Sequence, residues 1–160
     1  MEKIYFSQCG KPVTPGDLDR LENTLNYRFP STFREHYLAF NGGVPSKAYW
    51  VSDTGDEPME VAAFREVAGE SVSTKGDVLA SYNSLVERSV LPEHLLPFAN
   101  DWGGNLFCLN MSNGQVTFYA LDSFDPDLGF EENQRHAETP LCSSFGEFAA
   151  RLVSEDGIEE

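Results

Sequence analysis

The chain has 160 residues, 41% of them apolar and 12% aromatic. One domain takes roughly 100–200 residues, so there is material for one core but not two, and a disordered chain is excluded. A formal charge of −15 at pH 7 argues against nucleic acid as a partner, because phosphate binders work through Lys and Arg.

The charge is uneven. Residues 1–50 hold five acids and six bases, a net of +1; residues 51–160 hold 21 acids and five bases, a net of −16. Such a surface either keeps a protein soluble or meets a basic partner. Cys9, Cys108 and Cys142 are odd in number and irregular in spacing, which is neither a disulfide framework nor a zinc site. They read as reduced thiols. The start lacks the apolar run of a signal peptide, and no stretch approaches the ~20 apolar residues of a membrane span. The expected location is the cytoplasm, with no membrane partner.

In chain order, Leu18, Leu21 and Leu25 share one face and predict a helix over 17–25, capped by Thr14 or Asp17, with Pro15 in its first turn and Asn26 as its stop. A second helix is expected after Pro30. Thr32 to Glu35 has capping-box spacing, Phe33, Tyr37 and Phe40 form a core stripe, and Asn41-Gly42-Gly43 ends it. His36 lies off the stripe and is expected to be exposed.

Ala48–Val51 and Met59–Phe64 read as strands around an acidic turn, 69–76 as a loop, and Asp77 as the cap of a third helix with Val78, Tyr82 and Leu85 on one face. Leu95–Ala99 reads as a strand, which Pro97 assigns to an edge or a strand start. Leu106–Leu109 and Val116–Leu121 flank Asn113-Gly114 as a hairpin with positive φ at the turn. Residues 122–140 read as a long acidic loop. Ser144 to Glu147 has capping-box spacing before a last helix carrying Phe145, Phe148 and Leu152 inward. Helices first, strands in the middle and a helix last predict a single α+β domain, with helices packed on a mostly antiparallel sheet. The expected division is a lead-in at 1–16, the domain at 17–153 and an acidic tail at 154–160.

The search for chemistry finds little. There is no nucleophile elbow, zinc-protease helix or phosphate loop. Cys108 would need His94 or His136 beside it to act as a nucleophile, and its apolar strand favours packing instead. Asp122, Asp125, Asp127, Glu131 and Glu132 match a calcium loop poorly, because Pro126 interrupts and Gly129 comes late. No tightly bound metal or cofactor is expected. Trp102 sits in a Gly-rich turn, as a contact residue or as a lid on the core.

The residues together resemble the SUKH superfamily. Leu21-Glu22, Leu25, Phe29-Pro30, Phe33, Tyr37 and Asn41-Gly42-Gly43 are similar to its opening. Leu96-Pro97-Phe98-Ala99, Asp101 and Gly103-Gly104-Asn105 are similar to its second signature. Gly114, Val116, Phe118 and Asp122 resemble the hairpin that follows, and Phe145, Phe148 and Leu152 the closing helix. The resemblance spans about residues 17–152. It implies a non-enzymatic protein-binding domain. Bacterial members resemble immunity proteins that bind and neutralise toxins, often nucleases; fungal relatives resemble regulatory scaffolds of cell-wall assembly. An immunity protein with a basic toxin domain as partner is the first reading. An intracellular scaffold or adaptor is the second, and a small hydrolase or metal-binding enzyme the third. The acids peculiar to this chain are the expected contact residues: Asp53, Asp56, Glu57, Glu60, Asp122, Asp125, Asp127, Glu131 and Glu132, with Trp102 as an apolar anchor.

Overall fold

In the computed structural model of the chain, which describes residues 4–52, 57–68, 77–121 and 125–155, Thr14 and Asp17 cap the first helix reciprocally. The Thr14 Oγ1 accepts from the Asp17 amide at 3.2 Å, and the Asp17 carboxylate accepts from the Thr14 amide at 2.8 Å. That second bond, helped by the Thr14 hydroxyl and by Arg20 and Lys11, holds the Asp17 carboxyl below its ordinary range against the opposing effect of burial. Helix α1 runs Pro15–Leu25 and stops at Asn26, whose φ of 53° is left-handed. Glu22, buried, then organises the connection. It accepts from the Phe29 amide at 2.8 Å and pairs with Arg34 at 3.1 Å, which turns Phe29 into the core.

Helix α2 runs Ser31–Ala39. The capping box expected at Thr32 does not form. Pro30 itself stands at the cap, its carbonyl accepting from the Phe33 and Arg34 amides, so Thr32 already lies inside the first turn. Phe33 and Tyr37 are fully buried, while Phe40 has left the helix and is half-buried. His36 is not exposed as expected. It is half-buried, with the rings of Phe6, Phe64 and Phe145 at centroid distances of 4.9, 5.2 and 5.3 Å.

The Asn41-Gly42-Gly43 stop does more than end α2. The Asn41 side chain donates to the carbonyls of Lys11 (2.6 Å) and Val67 (3.0 Å) and accepts from the Val67 amide (2.7 Å). Gly43, at φ 104°, exchanges two backbone hydrogen bonds with Phe64. Gly42, at φ 75°, lies so close to the Arg65–Glu66 backbone that a Cβ would meet it at 2.9 Å. Only glycine combines that conformation with that approach. Replacing Asn41 with Ala should cost about 1–3 kcal/mol, because it strands buried backbone groups, and urea denaturation measures it.

Two small antiparallel pairs follow: β1 (Phe6–Ser7) with β2 (Val44–Pro45), and β3 (Tyr49–Trp50) with β4 (Met59–Glu60). The single strand expected over Met59–Phe64 is two strands in two sheets, since β5 (Ala63–Phe64) joins the main one. That sheet is antiparallel, in the order β5, β6 (Leu95–Asn100), β7 (Leu106–Asn110), β8 (Val116–Tyr119), β9 (Glu138–Cys142). Strand β6 is therefore interior, contrary to the reading of Pro97 as an edge marker. The ladder tolerates the proline because its register shifts between Pro97 and Ala99, a bulge that needs no amide there.

Both faces of the sheet are covered, which is why β6 and β7 read as continuous apolar runs. On one face Phe98, Phe107 and Leu109 meet α1, α2 and α5 (Phe145–Arg151). On the other Leu95, Leu106, Cys108 and Tyr119 meet Tyr82, Leu85 and Val86 of α3 (Val78–Glu87), which Asp77 caps through the Ala80 amide, and Ala137. In the β7–β8 hairpin Gly114 has positive φ and Asn113 does not, so one left-handed residue suffices. At α5, Ser144 accepts from the Glu147 amide, but Glu147 returns to the Ser143 amide and hydroxyl rather than to Ser144.

The expected loop over 122–140 is overturned in part. Its second half holds helix α4 (Phe130–Ala137) and edge strand β9. Polar α4 has almost no apolar repeat to read, and β9 carries a proline. The 69–76 loop and the end of the acidic tail lie outside the described residues. The fold is α+β, with helices on both faces of an antiparallel sheet.

His36 supports a further prediction. Burial pushes its imidazole down to about 4, and its Nε2 has no hydrogen-bond partner among the described residues. The unfolded chain, titrating near 6.5, binds more protons than the folded chain between those values. Stability from the neutral ring is therefore complete above pH ~6.5 and lost as pH falls towards ~4, by roughly 2 kcal/mol once partial exposure is allowed for. His36→Phe should flatten that part of the stability–pH curve in paired denaturation series.

Candidate partner-binding surface

Of the residues singled out from sequence, Trp102 stands at one end of the main sheet. There Asn100 closes β6 opposite Ala63, Leu106 opens β7 opposite Tyr119, and Tyr119 faces Glu138. Between Asn100 and Leu106 lies the Trp102 turn, fixed by its own polar groups. The Asp101 carboxylate accepts from the amides of Gly103 and Asn105, both at 2.9 Å, and from the Asn105 side chain at 3.1 Å. Asn105 Oδ1 in turn accepts from the Leu121 amide at 2.9 Å, tying the turn to the start of the acidic segment after β8. Trp102 projects from this frame 75% exposed, so it is no lid on the core. The other tryptophan, Trp50, is 2% exposed and stacks on Phe148.

The acids singled out lie in two other segments of the chain. Glu60 ends β4 three residues before Ala63 and is half-buried; Glu57 is exposed. Glu60 faces Tyr49, whose phenol is raised by burial and then by the Glu60 charge. Asp125 and Asp127 are exposed in the turn before α4, and Glu131 and Glu132 are exposed in its first turn, where negative charge also favours the helix. Asp53, Asp56 and Asp122 lie outside the described residues. Segments 48–64 and 95–134 contain ten acids and no Lys, Arg or His. Bases flank both segments: Lys47, Arg65 and His94 in the sequence, and Arg135 and His136, exposed in the last turn of α4 just before Glu138.

Sequence reasoning missed the residues that hold the surface in place. Asn133, buried, accepts from the Asp125 amide at 2.8 Å and donates to the Asp125 and Leu128 carbonyls. Nothing in the pattern around it signals that role. Asp101 and Asn105 were legible as turn formers, since Asp bonds the backbone ahead of it, but not as a link to β8.

The nucleophile weighed from sequence does not assemble. Cys108 is fully buried and its thiol is pushed far up by burial. His94 Nε2 lies 3.2 Å from Glu138 Oε1, a pair that joins the entry to β6 with the edge strand. The three cysteines are free thiols. Among the described residues no group of three or more His, Cys, Asp and Glu could hold a metal ion, and no helix is long and apolar enough to cross a membrane.

The architecture is that of an α+β domain with a largely exposed indole in a turn at one end of its main sheet. The match to the SMI1/KNR4 family (SUKH-1) covers residues 12–151, from the lead into α1 through the last residue of α5, and the chain belongs to that family. It is also similar to the SPbeta prophage-derived uncharacterized protein YokK of Bacillus subtilis (strain 168). The two are 23% identical over 158 residues, covering 89% of this chain and 76% of that protein.

Proposed function

We propose that this protein is an immunity protein of the cytoplasm. It binds a basic toxin domain, of nuclease type, and neutralises it by occupying its active surface rather than by catalysis. The observation that carries the reading is the charge imbalance, a net of −16 over residues 51–160, together with Trp102, which stands 75% exposed within that stretch. A nuclease holds phosphate with positive charge, and an acidic inhibitor is steered onto such a surface. Membership of the SUKH-1 family and similarity to a prophage-derived protein agree with this role. The contact residues in this reading are Asp53, Asp56, Glu57, Glu60, Trp102, Asp122, Asp125, Asp127, Glu131 and Glu132.

Affinity capture with the tagged protein, followed by identification of what it holds, tests the reading. One basic toxin, encoded beside this protein's gene, is the expected result. Several endogenous partners and no toxin gene nearby would favour an adaptor of the same fold.

A further inference from the structure

Trp102 is presented as a receptor is. Its turn is locked by the Asp101 and Asn105 bonds, and its side chain is 75% exposed, so the indole is open to an approaching group. What approaches that indole is selected by charge: Asp101 precedes it in the turn, and residues 51–160 carry a net of −16. An indole face in a negative field favours a cation, and a planar guanidinium stacks on it better than a compact ammonium. The molecule already contains this pairing, with the Arg151 guanidinium 4.4 Å from the centre of the Trp50 ring.

We propose that Trp102 receives an arginine side chain of the protein partner, stacked on its indole, with the net negative charge carried after residue 50 drawing the cation in. This rests on the reading that the sheet end meets a protein, and it names the chemistry of the central contact. Trp102 is the anchor; Asp101 and Asn105 are positioning residues that act through the turn.

Oligoarginine and oligolysine peptides of equal length are the probes, with binding read by peptide anisotropy and by tryptophan emission. With Trp50 buried, emission changes report on Trp102. The arginine peptide is expected to bind more tightly than the lysine peptide and to alter the emission. W102A is expected to weaken the arginine peptide roughly 2- to 30-fold, leave the lysine peptide nearly unchanged and so erase the preference, with W102F intermediate. Circular dichroism confirms that the variants fold. Equal binding of the arginine peptide to wild type and W102A would overturn the proposal. So would Trp102-dependent binding without a preference for arginine, which would mark an apolar anchor instead. No toxin enters the assay, so either negative result leaves the immunity reading to its own test.

Discussion

Phe148→Ala should destabilise the protein by about 3–5 kcal/mol, the largest loss expected from a single truncation. Phe148 is fully buried where β3 meets the main sheet. It stacks on Trp50 of β3 at 5.3 Å, lies 5.6 Å from Phe107 of β7 and 5.7 Å from Phe98 of β6, and reaches Phe64 of β5 at 6.4 Å. Its ring is thus shared by strands that belong to different sheets. Removing it opens a cavity that no single element can close by shifting, because each neighbour is held by its own partners. Urea denaturation should show a lower midpoint with an unchanged slope. A loss below about 1 kcal/mol would mean that α5 is not packed as described.

The second large effect is kinetic. Changing Asp53, Asp56, Glu57 and Glu60, together with Asp122, Asp125, Asp127, Glu131 and Glu132, to Asn or Gln should slow association with a basic toxin by about 10- to 1,000-fold at low salt. The wild-type rate should fall steeply as ionic strength rises, because the field reaches only about 8 Å at physiological salt, while the neutralised variant should barely respond. Asn at 125 keeps an oxygen to accept from the Asp127 amide, so the turn before α4 survives the change. The free protein should hold or gain stability, since like charges repel. Stopped-flow measurements at two ionic strengths decide the matter. Equal rates for wild type and variant would reduce these acids to a solubilising role.

The elements whose signals are local were legible in the sequence. Thr14, Pro15 and Asp17 announced α1, Asp77 announced α3, and Phe145 and Phe148 marked the inward face of α5, because caps and 3.6-residue periodicity need no tertiary partner to be read. Tertiary context decided the rest. Pro97 reads as an edge residue until the bulge beside it is seen. His36 reads as exposed until β1 and α5 bring Phe6 and Phe145 against it. Helix α4 was invisible because it is held by Asn133 and Ala137 alone among its described buried side chains, not by an apolar stripe. The acids could be listed by type, but where each described one falls in the fold follows from strand order, which one sequence does not display.

The central claim, that this domain neutralises a basic toxin by binding it, is tested most directly by titrating the purified protein into an activity assay of the toxin encoded beside it. Inhibition that is complete at an equimolar ratio, and weakens with salt and with the acids neutralised, is the expected result. Full toxin activity in the presence of excess protein would contradict it.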